Sequence, residues 1–208
     1  MKDFWTSDQH FRHRNILKYQ SGTRPYDNIF EMDSAYIKAW NDVVGPDDRV
    51  RHLGDLCFGR MEMVAEILGL LNGDIVVVPG NHDKWIEFYW KTKDADPSFE
   101  LFSASGHPVR VEVNQIREDR VNGQLIVSCH YPLRSWNASY HGSWHAYGHV
   151  HKNIEPWGMS IDVGVDRTDG RPISFEEIAA YMEERKKFLD SLRNRKDDNT
   201  DNTPAESI

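Results

Sequence analysis

The first half of the chain alternates short apolar runs with amphipathic stretches. Phe4 to Ser7 predicts a strand, and Asp33 to Val44 predicts a helix whose apolar positions are Ala35, Ile37, Trp40, Val43 and Val44. Gly45-Pro46 ends that helix. Arg49 to Leu53 predicts a second strand and Met61 to Leu71 a second helix. Ile75 to Val78 is a continuous β-branched run, the pattern of a strand buried on both faces. A short aromatic helix follows around Trp85 to Trp90. The pattern then changes to strands without helices between them: Val109 to Ile116, Leu125 to Cys129, His145 to Tyr147 and Ser160 to Val165. Asn122-Gly123 is a turn signal that makes the first two hairpin partners, with a loop longer than two residues. Ser174 with Glu177 forms a capping box for a last helix that runs to about Arg193. This order predicts an α/β fold of two packed mixed β-sheets flanked by helices, an αββα sandwich.

At 208 residues the chain suffices for one domain, expected over residues 1–195, with a polar and disordered tail at 196–208. A net charge of -8 argues against a general nucleic-acid binder, which would need a basic surface, so nucleic acid enters only as a substrate. The two cysteines, Cys57 and Cys129, are too few for a disulfide scaffold, and a reduced, cytoplasmic setting is expected. No signal peptide or membrane span is visible in the sequence, and no membrane partner is expected. Oligomeric state has no signature.

The chemistry falls at the ends of predicted strands. Asp8-Gln9-His10, Gly54-Asp55, Gly80-Asn81-His82-Asp83 and His130 each follow a strand, where sites form in open α/β sheets. Gly148-His149-Val150-His151 places two imidazoles on one side of an extended segment. Asp8-Gln9-His10, Gly54-Asp55 and Gly80-Asn81-His82-Asp83 each have a plain structural explanation alone, whereas the Gly148-His149-Val150-His151 pair by itself leans to metal binding. Their order, Asp-x-His, Gly-Asp, Gly-Asn-His-Asp, His, Gly-His-x-His, closely resembles the calcineurin-like metallophosphoesterase family over residues 4 to 165, in particular the small bacterial or phage-type phosphoesterases. Independently, four imidazoles, two carboxylates and an amide suit two divalent transition ions, manganese foremost, with iron, nickel, cobalt or zinc as alternatives. Two such ions set against two carboxylates and a hydroxide leave about +1 of charge for an anionic phosphate.

The resemblance implies that Asp8, His10 and His151 bind one metal, that Asn81, His130 and His149 bind the other, and that Asp55 bridges both. It implies a phosphoesterase in which a bridging hydroxide attacks phosphorus, with His82 on the phosphate and Asp83 orienting His82 or a ligand. Arg12, Tyr131 and Arg134 are further candidates for holding a small phosphate-ester substrate. The second and third motifs lack the Gly-Asp-x-x-Asp-Arg-Gly and Gly-Asn-His-Glu forms of the family's protein phosphatases, which argues against a protein phosphatase, and the small bacterial or phage-type members that the chain resembles commonly act on phosphodiesters. A catalytically silent scaffold on the same fold and a nuclease acting on DNA or RNA ends are the competing readings.

Overall fold

A computed structural model describes the backbone to residue 200 and the side chains to residue 194. Five strands form the first sheet in the order β4-β3-β2-β1-β9: β1 (Asp3–Thr6), β2 (Arg49–His52), β3 (Asp74–Val77), β4 (Arg110–Val111) and β9 (Ile173–Ser174). The first four run parallel, and β9 pairs antiparallel with β1. The second sheet has the order β5-β6-β7-β8: β5 (Ile116–Val121), β6 (Gln124–Cys129), β7 (Trp144–Tyr147) and β8 (Ser160–Asp162). Here β5 and β6 are antiparallel and the rest parallel.

The pleat sends alternate side chains of the first sheet into two cores. Phe4, Val50, Ile75 and Val77 face the helices α2 (Ile29–Val43), α3 (Met61–Leu68) and α4 (Trp85–Ala95). Trp5, Leu53 and Val78 face Ile126, Ala146, Ile161 and Val163 of the second sheet. The last helix, α5 (Phe175–Thr200), adds Phe175, Ile178 and Met182 to this second core and lies against β9, β1 and β8. Two packed mixed sheets flanked by helices are thus observed.

Local chemistry explains where the elements begin and end. Helix α2 starts four residues earlier than its periodicity suggests, because the Asn28 side chain accepts from the N–H groups of Phe30 and Glu31 at 3.1 Å each. Its buried face is Ile29, Met32, Tyr36 and Trp40, spaced for one helical stripe. Burial of Trp40 and its neighbours stabilises the fold by about 1.5–3 kcal/mol per large side chain. A one-turn helix, α1 (Ile16–Tyr19), has too little pattern to be foreseen. Ser174 and Glu177 exchange the two hydrogen bonds of the capping box at the start of α5. That helix passes Arg193 and takes in Lys196 to Thr200, which the sequence assigned to the tail; no Gly or Pro interrupts this polar stretch. The rest of the expected tail, 201–208, lies outside the described residues.

One expectation is corrected. The predicted strand Val109 to Ile116 is divided between the sheets, and the partner of β6 is β5, whose sequence Ile-Arg-Glu-Asp-Arg-Val looks like a loop. Its charges are paired: Asp119 accepts from Arg51 at 2.9 Å and from Arg117 at 2.8 Å, and Arg51, buried on Trp5, also reaches Asp3 at 2.7 Å. The β5–β6 loop has two residues, since Val121 pairs with Gln124, and both Asn122 and Gly123 have the positive φ of a type I′ turn.

Candidate metal centre

The parallel strands β1, β2 and β3 deliver Asp8 to His10, Asp55 and Asn81 to Asp83 at one edge, and β6 and β7 deliver His130, His149 and His151 from the second sheet. A bridge between Ser7 and Gly164 joins the sheets at this end. The loops approach so closely that side chains are excluded: a Cβ on Gly54, at φ +95°, would lie 2.5 Å from the Gly80 backbone and 2.9 Å from His130 Nδ1. A Cβ on Gly148 would overlap Ser7 and the Asp8 carboxylate.

Two groups of metal-ligating type result, Asp8 with His10 and His151, and Asp55 with His130 and His149; within each, the donor atoms lie within 4.8 Å of one another. Asp55 Oδ2 stands 3.5 Å from His10 Nε2 and 3.4 Å from His130 Nε2, so this carboxylate lies between the groups. Asn81 Oδ1 is 3.0 Å from His130 Nε2, which puts Asn81 beside the second group. Asp8 Oδ1, His10 Nε2 and Asp55 Oδ2 are buried without a hydrogen-bond partner among the described residues. Such atoms are costly unless something else satisfies them. Divalent cations fit this donor set.

The outer partners fix which ring nitrogen faces inward. His130 Nδ1 lies 2.7 Å from the Leu53 carbonyl, which can only accept, so Nδ1 carries a proton and Nε2, beside Asp55 and Asn81, is the nitrogen left to ligate a cation. His151 Nδ1 lies 2.8 Å from Asp166 Oδ2, with the same consequence. His10 Nδ1 meets His13 Nδ1 at 3.2 Å, and the His13 ring stacks on Phe58 at 4.4 Å. Asp166 is itself gripped by Arg24, whose Nε and Nη2 donate at 2.9 and 2.6 Å. Most of the donor residues also share an unusual backbone: Asp8, His10, Asp55, His149 and His151 are five of the ten non-glycine residues at positive φ among the described residues.

Charge distribution follows from burial and proximity. Burial raises the Asp8 carboxyl to about 6, although His130 and His151 pull it back. Burial would also raise Asp55, but the neighbouring imidazoles of His130 and His10 outweigh it, and Asp55 sits well below the usual carboxylate range. Burial lowers His10 and His149, so both favour the neutral, ligating form.

The other anticipated residues divide. His82 is half-buried, donates its N–H to Asp55 Oδ1 at 2.8 Å, and sets its ring 5.4 Å from His10, outside both groups. Asp83, expected to orient His82 or a ligand, lies buried behind the donor groups. Its carboxylate accepts from the N–H groups of Asp55, Leu56 and Gly80 and from the Trp85 indole, at 2.7 to 3.0 Å. It therefore orients Asp55. Arg12 is drawn to Glu66 at 2.9 Å and Asp33 at 3.6 Å, and Arg134 stacks over Trp157 at 3.9 Å, so each guanidinium has a partner outside the donor groups. Tyr131 is brought there, its ring 4.8 Å from His149 and 5.0 Å from His130. Arg24 and Asp166 were not foreseen. Asp166 follows a strand end, the signal that marked the ligands, whereas Arg24 lies in a polar loop without pattern.

No family model matches the chain. Uncharacterized protein MJ1445 of Methanocaldococcus jannaschii is 33% identical over 194 residues, covering 89% of this chain and 93% of that protein. The chain belongs to the family of that archaeal protein. Gene 66 protein of Mycobacterium phage L5 is 27% identical over 206 residues, covering 86% of this chain and 93% of its own length. A crystal structure of AQ665, a protein of unknown function from Aquifex aeolicus, superposes with a TM-score of 0.65 at 22% identity, over 86% of this chain and 98% of that one. It shares the fold. No helix among the described residues is long and apolar enough to cross a membrane.

Proposed function

We propose that the chain is a calcineurin-like phosphoesterase that hydrolyses a small phosphate ester, more readily a diester, with two transition-metal ions, manganese foremost. The observation that carries this reading is the convergence of three unpartnered buried atoms, Asp8 Oδ1, His10 Nε2 and Asp55 Oδ2, between two groups of imidazole and carboxylate donors. Asp8, His10 and His151 would hold one ion, Asn81, His130 and His149 the other, and Asp55 both. Bound there, the ions would supply Lewis acidity toward the phosphate and an activated water at neutral pH.

The chain's own residues do the rest. Leu53 O and Asp166 hold the His130 and His151 rings with Nε2 inward. Asp83 holds the Asp55 segment in place. His82, outside the donor groups, is the side chain that meets the phosphate and returns a proton to the leaving oxygen. Tyr131 lines the mouth. The diester preference rests on the motif forms, Gly54-Asp55 and Gly80-Asn81-His82-Asp83, which differ from those of the family's protein phosphatases.

The test is hydrolysis of bis-p-nitrophenyl phosphate and p-nitrophenyl phosphate by metal-stripped protein reloaded with Mn. The expected result is metal-dependent turnover, faster on the diester and lost in Asp55→Ala. Equal turnover with and without metal, or an unaffected Asp55→Ala, would overturn the reading.

A further inference from the structure

Arg24 has only 1% of its surface exposed and makes no contact with solvent that would account for a charge there. Its guanidinium ties together two segments that are far apart in sequence. Nε and Nη2 grip the two oxygens of Asp166 at 2.9 and 2.6 Å; Nη2 also donates to the carbonyl of Asp8 at 2.7 Å, and Nη1 to that of Gln9 at 3.0 Å. Thr23 Oγ1 adds a bond to Asp166 Oδ1 at 2.5 Å. Asp166 Oδ2 then holds His151 Nδ1 at 2.8 Å.

Both segments need holding. Asp8, His10 and His151 all lie at positive φ, 65°, 51° and 46°, a conformation that costs L-residues free energy and persists where neighbours enforce it. A buried Arg–carboxylate pair is rarely retained for stability alone, since desolvation of both charges offsets most of their attraction. Here the fork is bidentate on Asp166, and its remaining donors fall on the carbonyl of a donor residue and of its neighbour. The second group has no such pair: its His130 is oriented by the Leu53 carbonyl.

We propose that Arg24 and Asp166 are positioning residues that set the affinity of the Asp8, His10 and His151 site and leave the Asn81, His130 and His149 site unchanged. The proposal rests on the two-metal reading above. Arg24 fixes the main chain of Asp8 and the carboxylate of Asp166, and Asp166 fixes the His151 ring with its Nδ1 protonated and its Nε2 free to ligate.

The experiment is calorimetric titration of metal-stripped full-length protein with Mn, with Asp166→Asn and Thr23→Val beside the wild type and each variant's fold checked by circular dichroism. Wild type is expected to take up two equivalents. Asp166→Asn should bind one equivalent as wild type does and the other about 10- to 100-fold more weakly, the usual effect of losing a partner to a ligating histidine. Thr23→Val should show the same selectivity with a smaller change. Two unaltered equivalents, or an equal loss at both, would overturn the proposal. If wild type binds fewer than two equivalents, the two-metal reading itself fails. Should Asp166→Asn not fold, Thr23→Val decides together with ¹⁵N-histidine NMR of the Zn-loaded wild type, where His151 must carry its proton on Nδ1; a proton on Nε2 would contradict the proposal.

Discussion

In the half of the site built from Asp8, His10 and His151, every donor residue has positive φ, and the support behind it is a buried guanidinium and carboxylate, Arg24 and Asp166. In the half built from Asp55, His130 and His149, Asp55 and His149 share that backbone and His130 does not; the His130 ring leans on the Leu53 carbonyl, and Asp55 is held by Asp83 through main-chain N–H groups. The difference teaches how each half can fail. A side-chain strap is open to a single substitution, whereas a carbonyl at the end of a strand cannot be removed without the strand. The first half is therefore the adjustable one and the second the anchored one.

Asp83 should reveal the anchored half as part of the fold. Asp83→Ala strands three N–H groups and an indole, so we expect a loss of about 3 kcal/mol in denaturant unfolding, with Asp83→Asn in between. A change within a few tenths of a kcal/mol would mean that the second half is no better anchored than the first.

His82 tests the space between the halves, since its N–H is on Asp55 and its ring is beside His10. His82→Ala should cut kcat toward an alkyl phosphodiester by about 10²- to 10⁴-fold, as expected for loss of a general acid, an effect on the activation barrier of about 3 kcal/mol at the low end. Both metal equivalents should remain. If metal is lost with the activity, His82 is a ligand and the division into two groups needs redrawing.

The charged surroundings of the first half should also respond to pH. Asp33, which pairs with Arg12 near this half, is raised by burial to about 6 from 3.8, against the pull of the Arg12 N–H and charge. The folded state then holds this proton more tightly than the unfolded chain, so stability is lost as pH rises from about 4 to about 6. Compared with Asp33→Asn, wild type should lose about 1–2 kcal/mol across that window and nothing further above it, as read from urea midpoints. A constant difference from pH 4 to 7 would show that Asp33 is solvated.

What could be seen in the sequence follows the same division. The candidate donors were legible because each follows a strand and because imidazole, carboxylate and amide in that order have few structural uses together. Their supports were not. Arg24 acts through donors aimed at carbonyls of residues 8 and 9, a contact that no local pattern encodes, and Leu53 contributes only a main-chain oxygen. Arg12 and Arg134 illustrate the converse: a basic residue beside a motif suggests a phosphate, but Asp33, Glu66 and Trp157, distant in sequence, claim them first. The fold shows the same limit. Apolar strands such as β3 were plain, whereas β5 hides its pairing because its own Arg117 and Asp119 are charged and neutralise one another together with the distant Arg51.

The most direct test of the central claim is anomalous scattering from crystals grown with Mn. The account predicts two peaks, one among Asp8, His10 and His151, the other among Asn81, His130 and His149, with Asp55 touching both. A single peak, or Mn bound without these side chains, would contradict it.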